Sequence, residues 1–164
     1  EIQKVQEIQE LELSKKQNKN ISVVVDATKD LLKNVLPYRP FLIKPNHHEL
    51  GDIFNRELHS HDEIIFYAKE LQSRGARNVL VSAGSQGAVL VAEDGQVYEM
   101  QAPQGEMLNS VGAGDSMVAG FLAEYLQSED YGKALKMGVS AGSATAFSEG
   151  LAKREEIYNI LNSF

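Results

Sequence analysis

The chain has 164 residues, enough for one domain with a sizeable core, and its hydrophobic content of 43% and charged content of 24% are ordinary for a globular protein. A net charge of −7 with no Lys/Arg run argues against a nucleic-acid surface, and the absence of cysteine excludes a disulfide framework or a thiolate metal site. No apolar run approaches membrane length and no signal peptide is visible, so a cytoplasmic protein with no membrane partner is expected.

Residues 1–20 are rich in Gln, Glu and Lys. Ile2, Val5, Ile8, Leu11 and Leu13 have a partly helical spacing, which predicts a solvated helical or poorly ordered leader. From Ile21 a regular rhythm begins. Ile21 to Val25 is a β-branched run that reads as a strand. Leu31, Leu32, Val35 and Leu36 have helical spacing, and Phe41 to Ile43 is a second short strand. A helix starting near Asn46 carries Ile53 and Phe54. Ser60 and Glu63 have the spacing of a capping box for the next helix, with Gly75 as its stop. Val79 to Val81 is a third strand. Apolar strands that alternate with helices imply a parallel sheet covered on both faces. Ala88–Ala92 and Gln96–Met100, joined through Asp94-Gly95, read as a hairpin. After Asp115 the chain reads as mostly helical, through the small-residue run from Gly138 to Ala146 and on to Arg154–Leu161. No linker interrupts 21–164, so one α/β domain is expected.

Asn109-Ser110-Val111-Gly112-Ala113-Gly114-Asp115-Ser116 carries the most chemistry. It is a small-residue loop ending in a carboxylate at the start of a helix. A helix N-terminus has unpaired N–H groups and partial positive charge, so it suits an anion. Gly112, Ala113 and Gly114 leave the backbone bare enough for a phosphate to approach. Asp115 would then take a proton from an attacking hydroxyl. The competing reading is that Asp115 only caps a helix after a glycine turn.

Asp26, Lys44 and Ser82 all fall at carboxyl ends of predicted strands, where open α/β sheets bind ligands. Asp26 also has the position of a cap for the next helix. Asn46 and Glu49 have capping-box spacing, yet their oxygens also suit a magnesium ion that keeps its waters, with Lys44 neutralising phosphate charge. Ser82-Ala83-Gly84-Ser85-Gln86-Gly87 reads either as a turn or as a phosphate cradle, built from the Ser82 hydroxyl and amides near Gly84 and Gly87. The run Ser140 to Gly150 reads as a close helix packing surface. His47, His48, His59 and His61 make no zinc-like constellation. No Walker loop, Cys–His pair or Gly-x-Ser-x-Gly motif occurs.

Asn109-Ser110-x-Gly112-Ala113-Gly114-Asp115-x-x-x-Ala119-Gly120-Phe121-Leu122 resembles the C-terminal signature of the ribokinase-like (PfkB) carbohydrate kinases. Its wording is nearest to the bacterial 1-phosphofructokinase and tagatose-6-phosphate kinase branches. The likeness runs from about Ile21 to the C-terminus. It implies the C-terminal part of a three-layer α/β/α sandwich with a mostly parallel sheet and a β-hairpin. It also implies transfer of the ATP γ-phosphoryl to a sugar-phosphate hydroxyl. Fructose 1-phosphate, giving fructose 1,6-bisphosphate, is the first expectation, and tagatose 6-phosphate the second.

By the same resemblance Asp115 is the base and the amides of Gly112, Ala113 and Gly114 form the anion hole. Lys44, Asn46, Ser82, Gly84, Gly87, Ser110, Ser143 and Ser148 are implied nucleotide contacts. Glu49, Asn46 and Asp26 are implied at the magnesium end. Some members bind a monovalent cation such as potassium, which here would fall to backbone oxygens at Asn109, Val111, Thr145, Ser148 and Gly150. Homodimers in the family often form through a lid. That lid and most sugar contacts belong to a half of the family pattern with no match here, so a truncated kinase is expected. A nucleotide-binding module without kinase activity is the alternative.

Overall fold

In the computed structural model, the described residues are 22–27 and 29–164, divided into a first compact unit ending at Leu80 and a second spanning Val81–Phe164. The expected leader over 1–20 lies outside the described residues.

In the first unit, β1 (Val24–Val25) pairs in parallel with β2 (Leu42–Ile43), and β2 pairs in parallel with β3 (Asn78–Ser82). Leu42, Ile43, Val79 and Leu80 are fully buried, as strands covered on both faces require. Of the expected strand Ile21–Val25, Ile21 lies outside the described residues, and β1 takes in only Val24 and Val25. Val23 lies outside it, although its carbonyl still accepts the Phe41 N–H at 2.8 Å. Asn78 is buried inside β3, where its side-chain amide donates to the Phe41 carbonyl at 2.8 Å, so the polar group is satisfied.

The helices of this unit follow the apolar spacing. α1 (Lys29–Val35) buries Leu32, and the 3₁₀ turn Leu36–Tyr38 buries Leu36. α2 (His47–Phe54) buries Leu50 and Ile53. α3 (His61–Ser73) buries Ile64, Ala68 and Leu71, one face at i, i+4, i+7. Both α2 and α3 open in complete capping boxes, on Asn46 with Glu49 and on Ser60 with Glu63.

In the second unit, β4 (Ala88–Val91) and β5 (Val97–Met100) form the expected antiparallel hairpin, in the register Val91↔Val97. Its turn is held by Asp94, whose Oδ1 accepts the Gln96 N–H at 2.8 Å and whose Oδ2 accepts the Tyr98 hydroxyl at 2.7 Å. That second bond raises the Tyr98 phenol above its ordinary pKa.

α4 (Ala113–Ser128) packs along α5 (Tyr131–Ala146), and α6 (Arg154–Leu161) follows. The α4–α5 seam is made of small residues. A Cβ on Gly138 would lie 2.9 Å from the Met117 carbonyl oxygen, and one on Gly142 would lie 3.0 Å from that of Ala113. The two backbones therefore approach more closely than larger side chains would allow. Tyr125 and Tyr131 stack at 4.7 Å, and the Tyr131 hydroxyl donates to Glu93 at 2.9 Å, tying α5 to the hairpin turn.

Candidate active site

In the first unit, the register Val25↔Ile43 sets the next residues, Asp26 and Lys44, side by side at the carboxyl ends of β1 and β2. Lys44 Nζ lies 3.4 Å from Asp26 Oδ2, with the lysine side chain 7% exposed and the aspartate 39%. A buried ammonium is costly unless a partner compensates it, and Asp26 supplies that compensation from the solvent side. Two residues beyond Lys44, Asn46 Oδ1 accepts the Glu49 N–H at 2.9 Å and Glu49 Oε2 accepts the Asn46 N–H at 2.8 Å. The capping reading of this pair is thus built in the structure. A carboxylate has about four acceptor sites, so the cap leaves room on Glu49 for water-bridged contact to a hard cation. The His47 and His48 rings lie against each other, tilted by 39° with centroids 3.8 Å apart. Among the described residues no group of three His, Cys, Asp or Glu side chains is placed to hold a metal ion. A magnesium ion here would need phosphate oxygens as additional ligands.

In the second unit, the loop after Ser82 closes on itself. Ala83 N–H donates to the Gly87 carbonyl at 2.8 Å, Gln86 N–H to the Ala83 carbonyl at 3.0 Å, and Gly87 N–H to the Gly84 carbonyl at 3.0 Å. Gly87 is buried at φ 90°, and a Cβ there would strike the Met100 carbonyl oxygen and lie 2.7 Å from the Ala102 nitrogen. Gly84 is exposed, with open space where a Cβ would stand. The structure therefore separates two glycines that the sequence treats alike. The amide of Gly87 is engaged within the turn, and Gly84 is the one that presents bare backbone.

Gly112, at φ 79°, is the N-cap of α4, and no side chain caps this helix. Ala113 N–H donates to the Ser110 carbonyl at 3.3 Å and Ser116 N–H to that of Gly112 at 2.9 Å. Gly114 and Asp115 occupy first-turn positions whose amides have no intrahelical acceptor. Asp115 is exposed, so its carboxylate stands beside those amides in solvent rather than closing them off as a cap. A helix N-terminus with unengaged first-turn amides has partial positive charge and suits an anion.

Ser143 is half-buried on α5 and its carbonyl accepts the Phe147 N–H at 3.0 Å. Ser148 follows α5, and its hydroxyl donates to the Ala144 carbonyl at 2.8 Å. The chain before the glycine turn is tied to the end of α5, since the N–H groups of Leu108 and Asn109 both donate to the Ala146 carbonyl, at 2.8 and 3.1 Å. Asn109 adds two side-chain bonds: Oδ1 accepts the Val111 N–H at 3.0 Å, and Nδ2 donates to the Glu149 carbonyl at 3.3 Å. The bond from Thr145 Oγ1 to Ser116 Oγ, at 2.8 Å, is not legible in the sequence, because the partners are 29 residues apart and follow no short-range pattern.

Residues 4–157 match the model of the pfkB family of carbohydrate kinases. A 1-phosphofructokinase of Bacillus subtilis (strain 168) is 44% identical over 142 residues, 87% of this chain and 46% of the relative. A D-tagatose-1-phosphate kinase of Bacillus licheniformis is 38% identical over 132 residues, 80% of this chain and 43% of the relative. The crystal structure of phosphofructokinase-2 from Escherichia coli with substrates and products superposes with a TM-score of 0.82 at 30% identity, covering 92% of this chain and 50% of that one. The same enzyme has been solved in complex with potassium. The chain spans about half the length of the curated relatives it matches. Its α/β architecture is the ribokinase-like one, shared with the solved kinases. By the extent of the family match and the identity to its members, the chain belongs to the pfkB family of carbohydrate kinases.

Proposed function

We propose that this chain carries the phosphoryl-transfer machinery of an ATP-dependent ketohexose-phosphate kinase, with fructose 1-phosphate as the acceptor and fructose 1,6-bisphosphate as the product. The observation that carries the reading is Asp115, exposed in the first turn of α4 directly after Gly112-Ala113-Gly114, beside amides without intrahelical acceptors. Asp115 takes the proton of the attacking hydroxyl, and the helix N-terminus stabilises the charge on the phosphoryl group in transfer. Lys44 neutralises nucleotide phosphate, with Asp26 holding its ammonium in place across 3.4 Å. Asn46 and Glu49 hold the hydration shell of magnesium, which supplies charge neutralisation to the phosphates when bound. Ser82 and Gly84 face the nucleotide, while Gly87 shapes their loop. Ser110, Ser143 and Ser148 border the nucleotide's other end, and carbonyls of the 109–111 and 145–150 segments suit a potassium ion.

Relatives named for fructose and tagatose 1-phosphates support a ketohexose 1-phosphate acceptor and favour tagatose 1-phosphate over tagatose 6-phosphate as the second choice. A second reading, nucleotide binding without transfer, is favoured by the span of the chain, about half that of its relatives, because transfer needs both substrates held in line.

The test is ADP release from magnesium-ATP in the presence of fructose 1-phosphate, by wild type and by D115N. Loss of a general base predicts a fall in kcat of about 10²–10⁴-fold with ATP affinity kept. Equal turnover by the two proteins removes Asp115 from the reaction. Saturable ATP binding with no turnover by wild type selects the second reading.

A further inference from the structure

Among the described residues, three α-helices are tethered locally at their start: Asn46, Ser60 and Asp130 each accept a first-turn amide. The N-terminus of α4 has no such side chain. Its tether comes instead from Thr145, near the end of α5, which is 1% exposed. The Thr145 hydroxyl donates to Ser116 Oγ at 2.8 Å and accepts the Ala152 N–H at 3.2 Å. One buried group thus joins the first turn of α4 to the loop after α5. Asn109 adds a second link, its Oδ1 accepting the Val111 N–H in the loop before α4 and its Nδ2 donating to the Glu149 carbonyl in the loop after α5. Leu151 lies against the glycine turn, its Cδ2 2.8 Å from where a Cβ on Gly112 would stand.

A hydroxyl that both donates and accepts inside the fold has its orientation set on two sides, and leaving either partner unpaired is costly. The geometry points to Thr145 as a positioning residue for phosphoryl transfer: its hydroxyl holds the first turn of α4, and with it Asp115, in register with the loop 147–153. This rests on the reading of Asp115 as the base. A valine would fill the same volume without the hydroxyl, so packing and tethering can be told apart. A serine keeps the hydroxyl and loses only the methyl.

The experiment compares wild type, T145V, T145S and S116A in the full chain by two readouts. The first is amide hydrogen exchange over 109–118, and the second is turnover of magnesium-ATP with fructose 1-phosphate. In T145V the Ala152 amide loses its acceptor in any case, so the diagnostic signal is at α4. Exchange at Ala113 and Ser116 should rise about tenfold or more in T145V and S116A and stay near wild type in T145S. kcat should fall about 10- to 100-fold in T145V and S116A with KM within about threefold, and T145S should recover to within about threefold.

Unchanged α4 exchange in both T145V and S116A overturns the tether, as does a T145S loss equal to that of T145V, which would make the methyl the active part. Should T145V be globally unfolded, S116A cuts the same bond from its less buried end and decides the matter. If wild type shows no turnover, the exchange readout still decides the tether, and the missing turnover counts against the kinase reading alone.

Discussion

Lys44 and Asp26 illustrate how much a single residue's role depends on its neighbour across the sheet. Each follows a strand, which the sequence shows, but their 3.4 Å ion pair depends on the parallel register of β1 and β2. The glycines of the Ser82 loop make the same point more sharply. Both have positive φ, 56° at Gly84 and 90° at Gly87, yet only Gly87 is pressed against the backbone at the end of β5. G87A therefore combines a left-handed backbone with a backbone clash, and a loss of at least about 2 kcal/mol is expected. G84A meets open space, and about 1 kcal/mol is expected from its φ alone. Urea midpoints of the two variants check this; equal shifts would mean that the β5 contact carries no weight.

At the scale of elements, caps decide where helices begin, and here they are visible in the sequence because a capping box is a local pattern. Ser60 with Glu63 and Asn46 with Glu49 were both legible from spacing alone, and both boxes are complete. Glu63 Oε2 accepts the N–H groups of His59 at 2.7 Å and Ser60 at 3.1 Å, and these bonds, the His59 one foremost, lower its carboxyl pKa below the ordinary value. A pKa lower in the folded than in the unfolded state gives a stabilisation that is present above the unfolded value. It is lost as pH falls through the folded value. The thermal midpoint of wild type should therefore exceed that of E63Q near neutral pH, with the gap closing on acidification through the carboxylate range. Parallel midpoints across that range would show that the charge of Glu63 does not support α3.

For the whole molecule, the central question is whether a chain spanning about half of its relatives can engage nucleotide. Calorimetric titration with magnesium-ATP should give saturable binding that disappears when magnesium is chelated. Binding that survives chelation would remove Asn46 and Glu49 from the magnesium reading. No binding by a chain with a cooperative unfolding transition would leave the site assignments to the longer relatives. Among the described residues, no helix is long and apolar enough to cross a membrane.

What the sequence by itself determined was local or periodic. The alternation of strands and helices, the capping boxes, the hairpin turn at Asp94-Gly95 and the glycine turn before Asp115 are each written within a few consecutive residues. Backbone sterics and hydrogen bonding at that range leave few alternatives. The length of β1 was overestimated, because a β-branched run records propensity while the ladder ends where pairing ends. Only the tertiary structure decided which amides of the phosphate-loop candidates are already engaged. It alone brought Asp26 to Lys44 and Thr145 to Ser116. Those contacts join residues far apart in the chain, and side-chain partners at such separations are chosen by packing and register.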